Sequence, residues 1–140
     1  NSVGTDPEGL QAEAVVVKSF GDLEARGATV AGKIVVFNVP FTNYGETVRY
    51  RSGGASRAAA RGAVGMLLRS VGQPGLRTAH TGATNYADNI PKIPAAAIAL
   101  EDADRLQRLQ DRGVRLVVRL SMEARMLPDA ESANVIGEIV

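Results

Sequence analysis

Residues 114–126, VRLVVRLSMEARM, carry the strictest alternation in the chain and constrain its fold more than any other stretch. Val114, Leu116, Val118, Leu120, Met122, Ala124 and Met126 fall on one face. Arg115, Arg119, Ser121, Glu123 and Arg125 fall on the other, with Val117 the exception. A period of two predicts a long strand with one dry face and one solvated face. A wet face argues for antiparallel pairing, because parallel sheets are covered on both sides.

Upstream, apolar runs alternate with helical segments. Gly9–Phe20 alternates and then turns fully apolar, as a strand does; IVVF between Gly32 and Pro40, Ala63–Val71 and Pro94–Leu100 are predicted as further strands. Residues 21–27 suit one or two helical turns that stop at Gly27. The longest predicted helix covers 46–63, with a small-residue face of Ala55, Ala58, Ala59, Gly62 and Ala63 and with Arg49, Arg51, Arg57 and Arg61 in solvent. Gly53 and Gly54 each weaken its middle by about 1 kcal/mol relative to Ala, so a break there is expected, with Ser52 or Ser56 capping the second half. Residues 101–113 form another helix, with Glu101, Asp102 and Asp104 at its positive end and Gly113 as its stop. Leu127–Asn134 is predicted as a turn and Val135–Val140 as a last short strand. The order is that of a mixed α/β protein.

The 140 residues are expected to form one domain, 1–140, burying roughly 68% of the unfolded surface. With 4% aromatics and no Trp, Ala, Val, Leu and Gly must build the core. A net charge of +1 with both signs dispersed gives no nucleic-acid footprint. No run approaches the 18 or so apolar residues of a membrane span. The opening NSVGTDPEGL lacks the pattern of a leader peptide, so a leader already removed or a piece of a longer protein is expected. The absence of cysteine removes disulfides, thiolate metal sites and cysteine nucleophiles together.

Chemistry concentrates in the loop 72–94, too long to be a plain connection. Its RTAHTGATNYADN stretch, Arg77–Asn89, holds His80, the only histidine. A zinc site needs three or four protein ligands, and no acidic cluster stands at ligand spacing from His80. Ser52, Ser56, His80 and Asp88 could nominally supply a triad, but no Gly-X-Ser-X-Gly elbow exists. The Gly53–Gly54 pair matches no phosphate-binding loop, and the acids at 101, 102 and 104 are explained by the helix dipole. By residue type alone, no enzyme site emerges.

The segment order carries a resemblance. Gly32–Lys33–Ile34–Val35–Val36, then Ala58–Leu67, then Ile93–Pro94 through Leu106 resemble the three motifs of the protease-associated (PA) domain. ETVRYRSGGASRAAARGAVGMLLRSV, the His80–Thr81–Gly82 triplet, KIPAAAIALEDADRL and SANVIGEIV are similar, more closely, to the domain inserted in plasma glutamate carboxypeptidase-like zinc exopeptidases. One departure is the Arg-Gly-X-Cys-X-Phe stretch common in the wider family, replaced here by NVPFTNYGETVRY. The resemblance implies a swivelling β/β/α fold with a mixed sheet or open barrel and two main helices.

It further implies a non-catalytic module of a secreted or periplasmic peptidase, whose zinc belongs to a separate catalytic domain of the same polypeptide. No cofactor is then expected in this chain. His80, Thr81, Gly82, Asn85 and Tyr86 become candidates for contact with the substrate cleft or the neighbouring domain, and peptide substrate and dimer contacts become expected partners. Two alternatives stand beside this reading: a free-standing α/β module binding a peptide or small ligand, and a small enzyme with His80 as general base.

Overall fold

A computed structural model describes residues 2–75 and 77–138. Its centre is a five-stranded sheet of β1 (Leu10–Val17), β2 (Ile34–Phe37), β3 (Gly65–Arg69), β4 (Ala95–Ile98) and β5 (Leu116–Leu120), in spatial order β4-β3-β2-β1-β5. The first four strands run parallel. The fifth lies antiparallel on β1, with Leu10 opposite Leu120 and Ala14 opposite Leu116. The mixed sheet and the antiparallel last strand thus agree with the expectation from sequence.

Three helices cover the sheet: α1 (Phe20–Arg26), α2 (Tyr44–Ala59) and α3 (Leu100–Asp111). Because side chains alternate across a strand, each inner strand feeds two cores. Val15, Val17, Val35, Phe37, Met66 and Leu68 pack with Leu23 of α1 and Ala55, Ala58 and Ala59 of α2. Val16, Ile34, Val36 and Leu67 point the other way, toward Leu106 and Leu109 of α3 and Leu116 of β5. Burial on both faces is why β2 and β3 read as unbroken apolar runs.

The structure corrects several local expectations. The first strand ends at Val17, because Ser19 caps α1 by accepting from the Asp22 amide at 3.0 Å. Helix α2 starts at Tyr44, capped by Asn43, and runs unbroken through Gly53 and Gly54. Ser52 and Ser56 cap nothing. A Cβ on Gly54 would stand 3.1 Å from the Phe37 ring and 3.3 Å from the Met66 sulfur, so this glycine admits the helix close to the sheet. Gly113, at φ +75°, ends α3 as expected.

β5 covers only Leu116–Leu120 of the predicted 114–126. Beyond it the chain keeps two bonds to the first residues, Thr5 amide to Met122 carbonyl at 2.9 Å and Met122 amide to Thr5 hydroxyl at 3.1 Å, but no ladder. Val114, assigned to the dry face, is exposed. Residues 135–138 form no strand, and Val135 and Ile136 are 99% and 86% exposed; residues 139 and 140 of that expectation lie outside the described residues.

β5 begins at Leu116, opposite Ala14, and the next part of that β1 edge is closed by α3. The Gln110 side chain accepts from the Val16 amide at 2.7 Å and donates to the Val16 carbonyl at 3.0 Å. One side-chain amide thus stands in for a neighbouring strand.

Candidate functional site

The chain from Gly72 to Pro94, apart from residue 76, has no regular secondary structure, yet it is tied down along its length. The His80 amide donates to Ser70 Oγ at 2.8 Å, and Ser70 Oγ donates to the Ile98 carbonyl at 2.7 Å, fastening the loop across the ends of β3 and β4. The Asn85 amide donates to the Ser52 carbonyl at 2.8 Å. The Ala87 amide donates to Ser56 Oγ at 2.8 Å, and that hydroxyl donates to the Asn85 carbonyl at 3.4 Å. Tyr86 Oη donates to the Ile93 carbonyl at 2.7 Å and accepts from the Val3 amide at 3.3 Å, while its ring packs on the core.

At the start of this strap Arg77 pairs with Asp102 at the first turn of α3, 2.7 Å from Nη2 to Oδ1. Hydrogen bonding to Asp102, then its charge, pushes the Arg77 pKa above the ordinary value, so the guanidinium is held cationic. The acids of α3 therefore do more than complement a dipole. Asp104 pairs with Arg69 and accepts from Asn38 at 3.2 Å, while Arg69 donates to Asn38 at 2.9 Å, closing a polar cluster at the carboxyl ends of β2 and β3.

Of the residues selected from sequence, His80, Thr81, Gly82 and Asn85 lie on the exposed side of one strap, and Tyr86 is half-buried beneath it. The His80 backbone is fixed, and its imidazole has no hydrogen-bond partner among the described residues.

Sequence reasoning missed Arg51. Expected in solvent with Arg49, Arg57 and Arg61, it is only 9% exposed. Tyr44 and Arg51 stand seven residues apart, two helical turns, so they share a face of α2, and Arg51 Nη2 donates to Tyr44 Oη at 2.7 Å. Nε and Nη1 are sealed from solvent and have no acceptor among the described residues. Each unsatisfied buried donor costs about 1–3 kcal/mol, and more on a charged group.

Gly82 lies directly on this guanidinium: a Cβ there would stand 2.6 Å from Nε and 2.8 Å from Nη1. Beside it opens a cavity of about 270 Å³, lined by Arg51, Thr81, Thr84, Met66, Leu68 and Met122 among others. The signal in the sequence was the Tyr44–Arg51 spacing together with a glycine in the loop that returns over the helix.

The donors present do not fit a zinc ion. Among the described residues no three His, Cys, Asp or Glu side chains converge, and His80 has no carboxylate beside it. No described helix is long and apolar enough to cross a membrane.

Residues 6–106 match the family model of the PA domain. The chain belongs to the PA domain family. This PA domain is 50% identical to carboxypeptidase Q of Xenopus laevis and 45% identical to carboxypeptidase Q of Homo sapiens, each over 139 residues and 99% of the chain. It spans only 30% and 29% of those relatives' lengths. Among solved structures, it superposes on a peptidase M28 precursor from Shewanella amazonensis SB2B with a TM-score of 0.82 and 35% identity, covering 87% of this chain and 29% of that one. A zinc aminopeptidase from Bacillus subtilis shares the fold, with a TM-score of 0.60 at 21% identity, over 87% of this chain and 26% of its own.

Proposed function

We propose that this PA domain is a non-catalytic module of a zinc-dependent exopeptidase, secreted or periplasmic. The observation that carries the reading is the near-complete alignment of the chain to less than a third of carboxypeptidase Q. A segment of that size, with no convergent metal donors among its described residues, fits a companion to a catalytic domain that holds the zinc.

The strap supplies the contact surface. His80, Thr81, Gly82 and Asn85 are exposed on a backbone fixed at Ser70, Ser52 and Ser56, with Tyr86 bracing them from below. Polar groups on a positioned loop suit recognition better than packing. In the proposed role they border the substrate cleft, restrict which peptides enter, and meet the catalytic domain; the same polypeptide is the principal partner, and contacts between subunits are a further role.

In the full-length enzyme, His80→Ala is expected to lower kcat/KM for peptide substrates while the melting temperature of the isolated domain stays within about a degree, because an exposed imidazole without partners contributes little to folding. An equal loss of thermal stability in the isolated domain would assign His80 a structural role instead. Dipeptide hydrolysis by the isolated, zinc-loaded chain would overturn the non-catalytic reading.

A further inference from the structure

The strap and Arg51 form an arrangement that packing alone does not explain. A guanidinium carries five N–H donors. Nη2 has one partner in Tyr44, whereas Nε and Nη1, with three N–H groups between them, have none among the described residues and are shut away from water. Gly82 packs over them, and its backbone carbonyl makes no hydrogen bond to either nitrogen. Burying cationic donors in this way is unfavourable unless an anion can reach them.

The strap is also sparsely bonded over a short span. It is bonded at His80 to Ser70 and at Asn85 to Ser52, but no hydrogen bond within the described residues holds Thr81, Gly82, Ala83 or Thr84 to the body beneath. Glycine at position 82 allows this close approach, since a Cβ there would force either the strap or the guanidinium to shift.

We propose that Arg51 is a receptor for a small carboxylate, gated by the 80–84 strap. In the closed form Gly82 covers the guanidinium. When the strap lifts, Nε and Nη1 open onto the adjoining cavity, where Thr81 and Thr84 add hydroxyls and Met66 and Leu68 supply an apolar wall. A carboxylate fits because its two oxygens satisfy a guanidinium with charge-assisted bonds. A short aliphatic tail fits because the wall beside the charge is apolar. The site needs nothing outside this chain, so its test does not depend on the peptidase reading.

The experiment is a titration of the 140-residue chain with sodium acetate and sodium butyrate, followed by amide and Arg Nε–H NMR signals, with sodium chloride at matched ionic strength as the control. Saturable shifts at Thr81, Gly82, Thr84 and the Arg51 Nε–H are expected with both carboxylates and not with chloride. Butyrate should bind several-fold more tightly, through its two extra methylenes. Arg51→Gln should weaken binding by roughly tenfold or more.

Gly82→Ala should hold the strap open, so that proteases cut within 77–89 faster than in the parent while butyrate binds at least as well. The proposal is overturned if butyrate gives no saturable shift at high millimolar concentration, or if Arg51→Gln binds it unchanged. It is equally overturned if Gly82→Ala is cleaved at the parent rate. Should Arg51→Gln fail to fold, the parent titration and the Gly82→Ala cleavage rate each still decide.

Discussion

The strand Ile34–Phe37 and the strap Arg77–Asn89 are both ordered, but by opposite means. In the strand every residue is buried, with Val35 and Phe37 in one core and Ile34 and Val36 in the other. Most of the strap is exposed, and its path is set by hydroxyls of Ser52's helix neighbour Ser56 and of Ser70, plus one ion pair at Arg77. Packing on both faces and a continuous ladder on both edges fix the first; directional bonds at a few points fix the second. A surface organised in the second way can shift between anchors while the body stays rigid, which suits a recognition surface.

The largest test of this contrast is Phe37→Ala. Removing a fully buried ring that also meets Phe20 edge-on at 5.5 Å should destabilise by about 3–5 kcal/mol. Chemical denaturation should then show the whole chain unfolding more readily, strap and body together. A loss confined to strap mobility would mean the two regions are not separately organised.

Next comes Gln110→Ala, which strips both bonds from Val16 at the β1 edge. An expected loss of about 2 kcal/mol, read by the same denaturation, follows from buried backbone groups left without partners. Ser56→Ala sharpens the contrast from the other side. It removes a hydroxyl that holds Ala87 and Asn85, at about 1 kcal/mol, yet should raise the cleavage rate within 77–89 out of proportion to that global loss.

The smallest effect belongs to Glu13. Hydrogen bonding to Lys33 at 2.8 Å, with Arg115 also nearby, holds its carboxyl below the ordinary 4.5. A depressed folded-state pKa contributes stability that is complete above the unfolded value and is lost as pH falls through the folded one. Glu13→Gln should therefore be slightly less stable than the parent at neutral pH, and thermal melts of the two should converge in acid. Because the pair is exposed, the difference should shrink with added salt.

The architecture was largely legible in the sequence, and the reason lies in particular residues. Gly32 and Pro40 bracket IVVF, and the alternation over 114–126 assigned an antiparallel edge correctly, although only Leu116–Leu120 of it forms the strand. What sequence obscured was tertiary. Glycine's cost in a helix is local, so Gly53–Gly54 suggested a break; the gain at Gly54 comes from Phe37 and Met66, which lie on other elements. The alternation continues past Leu120, but β1 begins at Leu10, so no partner remains to pair with the rest. The strap's exposed residues could be picked out by composition. Arg51 could not, because its burial depends on a loop that returns from more than thirty positions downstream (Gly82) to lie on it.

Thr5 and Met122, bonded side by side, have a consequence of their own. A polypeptide arriving at one departs beside the other, even though Ser2 and Val3 still touch the body through Ala95 and Tyr86. Such a unit can be spliced into a surface turn of a host without prising the turn apart, because the gap in the host stays as short as before.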